Sequence, residues 1–199
     1  MGRERSANYK QLRADSLNPL FCRPLQARYE PGSTFKTVNA LIGLQEGTIN
    51  GLYTYYGCHY GYHVGRVHMG CHGHESPLNV VSALQHSCNA FFAADYRALL
   101  DNPKFPNIDS AFNVWRKHAT SFGFGSKLGV DLPYEVAGYV PTLSFYDRVY
   151  GKGRLKSSYI VSNAIGQGEL LLTPVQIANL ASTIANCGHY FTPHIVKEI

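Results

Sequence analysis

Tyr29-Glu30-Pro31-Gly32-Ser33-Thr34-Phe35-Lys36 sets a serine on the first turn of a helix and a lysine one turn further on. Pro31 and Gly32 punctuate the backbone. From Ser33 the apolar residues Phe35, Val38, Ala40, Leu41, Ile42 and Leu44 keep helical spacing as far as Gly47. At i and i+3 the side chains of Ser33 and Lys36 share a face. A hydroxyl beside an amine that can be desolvated is a nucleophile with its base. The same short string also suits a capping serine before an ordinary amphipathic helix with Lys36 on its solvated side. What surrounds it in the chain decides between the two.

The 199 residues are enough for a substantial core, and the 45% hydrophobic and 16% charged shares suit a folded protein. Net charge is +5, yet the 18 Lys and Arg are scattered, so nucleic-acid binding is not expected. No stretch approaches the ~18 apolar residues of a transmembrane helix. The polar start Met1-Gly2-Arg3-Glu4-Arg5 lacks the apolar run of a signal peptide. Both ends are expected to be cuts in a longer chain.

Residues 1–28 read as polar and irregular, with Pro19 and Pro24 blocking long helices and residues 1–19 irregular or flexible. Residues 48–57 form a loop or short strand, and Val64, Val67 and Met69 hint at strand pairing within 57–75. Ser76-Pro77 opens a helix carrying Leu78, Val80, Val81 and Leu84. Ser87-Cys88-Asn89 interrupts it, and the helix resumes from Ala90 to Leu100. Another helix spans about Ser110 to Phe122. Residues 126–160 are punctuated by glycine and proline, with an extended piece at Val130-Asp131-Leu132-Pro133. Thr173-Pro174 caps a last helix that ends at Gly188, and Tyr190 to Val196 looks like the start of a strand.

Ser-x-x-Lys, Ser-x-Asn and Lys-Thr-Gly form the motif set of penicillin-interacting serine enzymes. Two are present in the right order: Ser33/Lys36 at a helix N-terminus and Ser87/Asn89 between two helices. With the full octet, and with Ile165-Gly166-Gln167-Gly168 followed by Thr173-Pro174-Val175-Gln176-Ile177, the chain resembles the transpeptidase domain of class B penicillin-binding proteins. The likeness is strongest to the elongation type, penicillin-binding protein 2, and runs from about Leu20 to Ile199. The fold it implies is α/β, an antiparallel sheet flanked by helices plus an all-helical region. The present 1–199 piece would be a partial domain, mostly helical and lacking most of the sheet.

The resemblance also implies roles. Ser33 would attack the penultimate D-alanine carbonyl of a peptidoglycan stem pentapeptide, and Lys36 would take its proton. Ser87 would relay a proton to the leaving D-alanine, and Asn89 would hold the substrate backbone. β-Lactam antibiotics would trap Ser33. The parent would sit at the periplasmic face of the inner membrane with elongation-complex membrane proteins as partners. No Lys-Thr-Gly follows, so a piece with little activity of its own is expected. Two other readings stay open. One is a zinc-stapled structural or interaction module. The other is a penicillin sensor or β-lactamase, although no glutamate stands out as a deacylating base.

Five of the nine histidines and two of the five cysteines fall between residues 57 and 75. Cys58, Cys71, His74 and Cys88 form a Cys₃His set in which Cys71-x-x-His74 has the spacing of a metal-binding turn. Thiolates closing the site point to structural zinc, and some elongation-type relatives carry zinc near the serine. A Cys58–Cys71 disulfide, surface histidines, or replacement of one ligand by His59, His68 or His72 are the alternatives. Cys22 and Cys187 read as unpaired, with Cys187 in the core.

Overall fold

The computed structural model describes residues 2–65 and 67–197. Eight α-helices, four short 3₁₀ helices and one two-stranded sheet make up its regular structure among these residues. The α-helices are α1 (Gly2–Ala14), α2 (Arg23–Gln26), α3 (Lys36–Glu46), α4 (Val80–Gln85), α5 (Asn89–Leu100), α6 (Ile108–Ser121), α7 (Leu143–Tyr150) and α8 (Pro174–Ala185). Strands β1 (Gly61–Val64) and β2 (Val67–Gly70) pair antiparallel, with Gly61 opposite Gly70 and Val64 opposite Val67.

Helix α5 is the centre of the molecule. Its sequence, Asn-Ala-Phe-Phe-Ala-Ala-Asp-Tyr-Arg-Ala-Leu-Leu, is apolar around most of its circumference, and such a helix is stable only when covered on several sides. Phe91, Phe92, Tyr96, Leu99 and Leu100 are buried in one core with Phe35, Val38 and Ile42 of the α3 segment, Phe112 and Trp115 of α6, and Ile160, Ala164 and Ile165. Each such side chain contributes roughly 1.5–3 kcal/mol on burial.

Gly43 sets how closely α3 meets α5. A Cβ there would lie 2.6 Å from Asp95 Oδ2 and 2.7 Å from Ile49 Cδ1. Glycine inside a helix costs about 1 kcal/mol against alanine, and here it is the residue that fits. A buried polar network fixes the other face of α3. Asn39 donates to the carbonyls of Asn163 (3.1 Å) and Ala164 (2.8 Å) and accepts from Trp115 Nε1 at 2.9 Å.

Several elements depart from the sequence reading. Residues 2–14 form a helix rather than an irregular lead-in, because they are rich in good helix formers and hold no proline. Helix α4 begins at Val80, not at Ser76-Pro77. Leu78 is held extended by paired bonds with Tyr56 (both 3.0 Å), and Asn79 and Ser82 then form the capping box. Helix α7 lies within the region read as punctuated. It is signalled by Thr142, whose side chain accepts from Phe145 N. Residues 190–197 form no strand; the Ile195 and Val196 amides bind the Asp131 carboxylate instead (2.7–3.0 Å). Cys187 is exposed rather than core, since it lies past the end of α8 in the left-handed region at φ 56°.

Candidate active site

The octet folds as a single 3₁₀ turn, Gly32–Phe35, running directly into α3. This leaves Ser33 exposed at the N-terminus of the combined helix, where the helix dipole favours negative charge developing on its hydroxyl. Lys36, one turn on, points inward and is 1% exposed. Removing an ammonium from water costs several kcal/mol unless its donors are satisfied. All three are: Nζ donates to Ser87 O (2.6 Å), Ser87 Oγ (2.9 Å) and Asn89 Oδ1 (2.6 Å). Ser87 Oγ in turn donates to Ser33 Oγ at 3.0 Å. The four residues singled out in the sequence therefore meet, and the hydrogen-bonded path from Lys36 to Ser33 passes through Ser87.

Ser87 takes φ 50°, the kink that turns the chain between α4 and α5 and aims both its carbonyl and its hydroxyl at Lys36. Burial pushes the Lys36 ammonium down to about 8, against the pull of the Cys71 and Cys88 thiols. A lysine in that range is a usable base near neutral pH.

The Gly166-Gln167-Gly168 segment braces this turn. Gly32 N donates to Gly166 O (2.9 Å), and Gly168 N donates to Glu30 Oε1 (3.1 Å). Tyr29 and Leu172 exchange two backbone bonds of 2.8 Å. Gly166 has φ 68°, and a Cβ on it would run into the Gly32 carbonyl and lie 2.6 Å from Phe35 Cβ. Gly166→Ala should therefore lower stability by about 2 kcal/mol or more, from left-handed strain plus the clash, and displace Ser33. Thermal unfolding with penicillin labelling as a second readout checks this; an unchanged midpoint would contradict it.

Beside the serine, Cys58, Cys71, His74 and Cys88 bring their ligand atoms within 4.8 Å of one another. Cys71 Sγ lies 3.5 Å from His74 Nε2 and 4.0 Å from Cys88 Sγ, close to the edges of a tetrahedron with bonds of about 2.0–2.3 Å. His74 Nδ1 faces the Glu75 carbonyl at 2.6 Å, an arrangement that protonates Nδ1 and frees Nε2 toward the sulfurs. Backbone N–H groups point at two sulfurs: Asn89 N to Cys71 and Phe91 N to Cys88, both 3.3 Å. Burial works against a Cys71 thiolate, but hydrogen bonds from His74, Asn89 and Ala90 bring it down to about 7. Burial and the neighbouring thiols push Cys88 up to about 12. His68 stands on the exposed side of the β1–β2 hairpin, its ring against that of His63 (centroids 4.3 Å apart) rather than in this group.

The family model for the penicillin binding protein transpeptidase domain matches residues 1–199. The chain belongs to that family. Peptidoglycan D,D-transpeptidase MrdA of Acinetobacter baumannii is 32% identical over 194 residues, covering 96% of this chain and 27% of that protein. Penicillin-binding protein 2A of Bacillus subtilis is 33% identical over 182 residues, covering 88% of this chain and 24% of that protein. The chain thus spans about a quarter of the length of these curated relatives. Among solved structures, PBP2 of Pseudomonas aeruginosa in complex with WCK 5153 superposes with a TM-score of 0.81 at 24% identity. That match covers 96% of this chain and 42% of that one. PBP2 of Helicobacter pylori in complex with MreC gives 0.79 at 26%, covering 94% and 33%. The fold is that of the transpeptidase family, and this chain holds helical parts of it.

Proposed function

We propose that this chain carries the acylating part of a peptidoglycan D,D-transpeptidase of the penicillin-binding protein 2 type. The observation that supports it is the unbroken path Lys36–Ser87–Ser33, with Asn89 completing the lysine's shell. Neutral Lys36 takes a proton from Ser87 Oγ as Ser87 takes one from Ser33, so Ser33 Oγ attacks the carbonyl of the penultimate D-alanine. The C–N bond to the terminal D-alanine then breaks, and the proton returns through Ser87 to the leaving amine. An amine from a second stem peptide resolves the ester into a crosslink. β-Lactams follow the first half of this course and stay on Ser33. Asn89 Nδ2 donates to Gly70 O at 2.9 Å, which holds its amide at the edge of the cleft for a substrate backbone.

The donor set of Cys58, Cys71, His74 and Cys88 fits structural zinc. Bound there, zinc would tie the hairpin and the Ser87–Asn89 junction together, and its closed shell supplies no activated water. The parent acts at the periplasmic face of the inner membrane with membrane proteins of the elongation complex. This chain holds no Lys-Thr-Gly, the third motif of the set, which in the family resembled helps to bind the substrate carboxylate.

Intact-mass measurement after exposure to a penicillin tests the reading. A Ser33-dependent adduct should form, far more slowly than in a longer protein that includes the Lys-Thr-Gly strand, and Ser33→Ala should show none. An adduct persisting in Ser33→Ala overturns the nucleophile. Rapid release of hydrolysed drug with turnover would favour a β-lactamase. Acylation as fast as in the longer protein refutes the view that this piece is incomplete.

A further inference from the structure

A groove of about 460 Å³ opens beside Asn89, between His68 on one side and Ser158, Tyr159 and Gln167 on the other. Tyr159 also lines a second groove, of about 610 Å³, whose wall includes Tyr150, Arg154 and Lys156. Tyr159 is 45% exposed at this join, its ring packed on Tyr150 with centroids 4.9 Å apart, and Lys156 Nζ stands 5.8 Å from the ring centre. Among the described residues no carboxylate lines either groove, and neither Arg154 nor Lys156 has an ion-pair partner. Of the other cations, Lys104 is paired with Glu46 (2.7 Å) and Arg97 with Asp101 (3.0 Å), so what sets Arg154 and Lys156 apart is their place on one groove wall beside Tyr159. The nearby Asp147 turns an oxygen to Gly153 N at 3.3 Å and shapes the loop that carries both cations.

We infer that the cleft beside Asn89 continues past Tyr159 into a carboxylate-binding groove, in which Arg154 and Lys156 take the acidic part of a peptide substrate. This rests on the reading of Asn89 as a peptide-holding residue. Two unpaired cations facing a groove free of carboxylates attract an anion. Its origin at an amide-lined cleft and its aromatic wall fit a peptide chain better than a polyphosphate, which needs a longer run of cations. In a stem peptide the matching group is the free α-carboxylate of the γ-linked glutamate, upstream of the D-alanyl-D-alanine end. Arg154 and Lys156 therefore select substrate rather than take part in the chemistry.

The test uses fluorescent L-Ala-γ-D-Glu-L-Lys-D-Ala-D-Ala and its twin with the glutamyl α-carboxylate amidated, read by anisotropy against this chain. At low ionic strength the acid form should bind about fivefold more tightly, a preference that shrinks with added salt. Arg154→Glu with Lys156→Glu should abolish or reverse it without shifting thermal unfolding, because both side chains are exposed. Equal binding of the two peptides, no binding of the acid form, a preference surviving in the double variant, or tighter binding of a DNA oligonucleotide overturns the inference. Penicillin labelling of Ser33, measured in parallel, judges the catalytic reading separately. A chain that is labelled yet binds both peptides equally loses the groove alone.

Discussion

Lys36→Met should cut penicillin acylation by about 10²–10⁴-fold while leaving thermal stability close to that of the parent chain. Two opposing effects set the second half of this result. Methionine fills nearly the same volume and removes the several-kcal/mol cost of holding an ammonium out of water. It also takes a donor from Ser87 O, Ser87 Oγ and Asn89 Oδ1, but Ser87 and Asn89 are only half-buried, so water can replace it at the cleft. The net change should stay within about 1.5 kcal/mol. A lysine kept for structure gives the opposite pattern, with lost stability and spared chemistry. Acylation should also carry a pH signature. Only neutral Lys36 can accept a proton, so the rate should climb as pH rises through about 8, where burial places its titration, and then level off. That limb should vanish in Lys36→Met. Stopped-flow acylation of a longer protein carrying the Lys-Thr-Gly strand, from pH 6 to 10, supplies both readouts, and a rate falling across that range would refute a lysine base.

The contact that matters most was legible in the sequence only as two separate strings. Ser33/Lys36 and Ser87/Asn89 each have a local reason for their position: a serine at a helix start and a kinked junction between helices. Their meeting depends on how closely α3 and α5 approach, and that is set by Gly43 against Asp95, a pair 52 positions apart with no local signature. For the same reason the direct Ser33–Lys36 pairing expected from spacing is replaced by a hydrogen-bonded path through Ser87. The Gly166-Gln167-Gly168 segment could be recognised as a turn, but its role in bracing the serine appears only when Gly166 is seen against Gly32 and Phe35. Misreadings cluster where local signals compete. Ser76-Pro77 carries a strong helix-start signal, yet the nonlocal pairing of Leu78 with Tyr56 delays the helix by three residues. Helix α7 is short and lies among glycines and prolines, so the Thr142 cap is its main local signal. The Cys₃His group was legible in part: Cys71-x-x-His74 has the spacing of a metal-binding turn, whereas Cys58 and Cys88 join it only through the fold that brings the four ligand atoms within 4.8 Å.

The same overlap makes metal removal the second large effect. The purified chain should hold one equivalent of zinc, and stripping it with a strong chelator should lower the unfolding midpoint by on the order of 10 °C. Closed zinc sites in small domains are worth about 10–16 kcal/mol, but here an independent core around α5 remains, so a loss of several kcal/mol is expected rather than full unfolding. Without the cation the buried Cys58 and Cys88 sulfurs cannot both stay ionised, since burial raises both thiols. The chain then loses the cation that would tie Cys58, His74 and Cys88 to Cys71, whose sulfur accepts a hydrogen bond from Asn89 N. That bond, 3.3 Å long, starts α5 one residue after Cys88 and two after Ser87. Stripping should therefore loosen the β1–β2 hairpin and the catalytic junction together, seen as amide-exchange protection lost over residues 58–90 while α6 and α8 keep theirs. Cys71→Ser should reproduce both changes, whereas Cys187→Ser, at an exposed position, should leave metal content and melting unchanged. Zinc well below one equivalent in freshly purified protein removes the site from consideration, and a reducible Cys58–Cys71 crosslink in its place assigns these sulfurs to a disulfide. Retained hairpin protection after complete stripping would show that the metal, though bound, does not hold Ser87 and Asn89 in position.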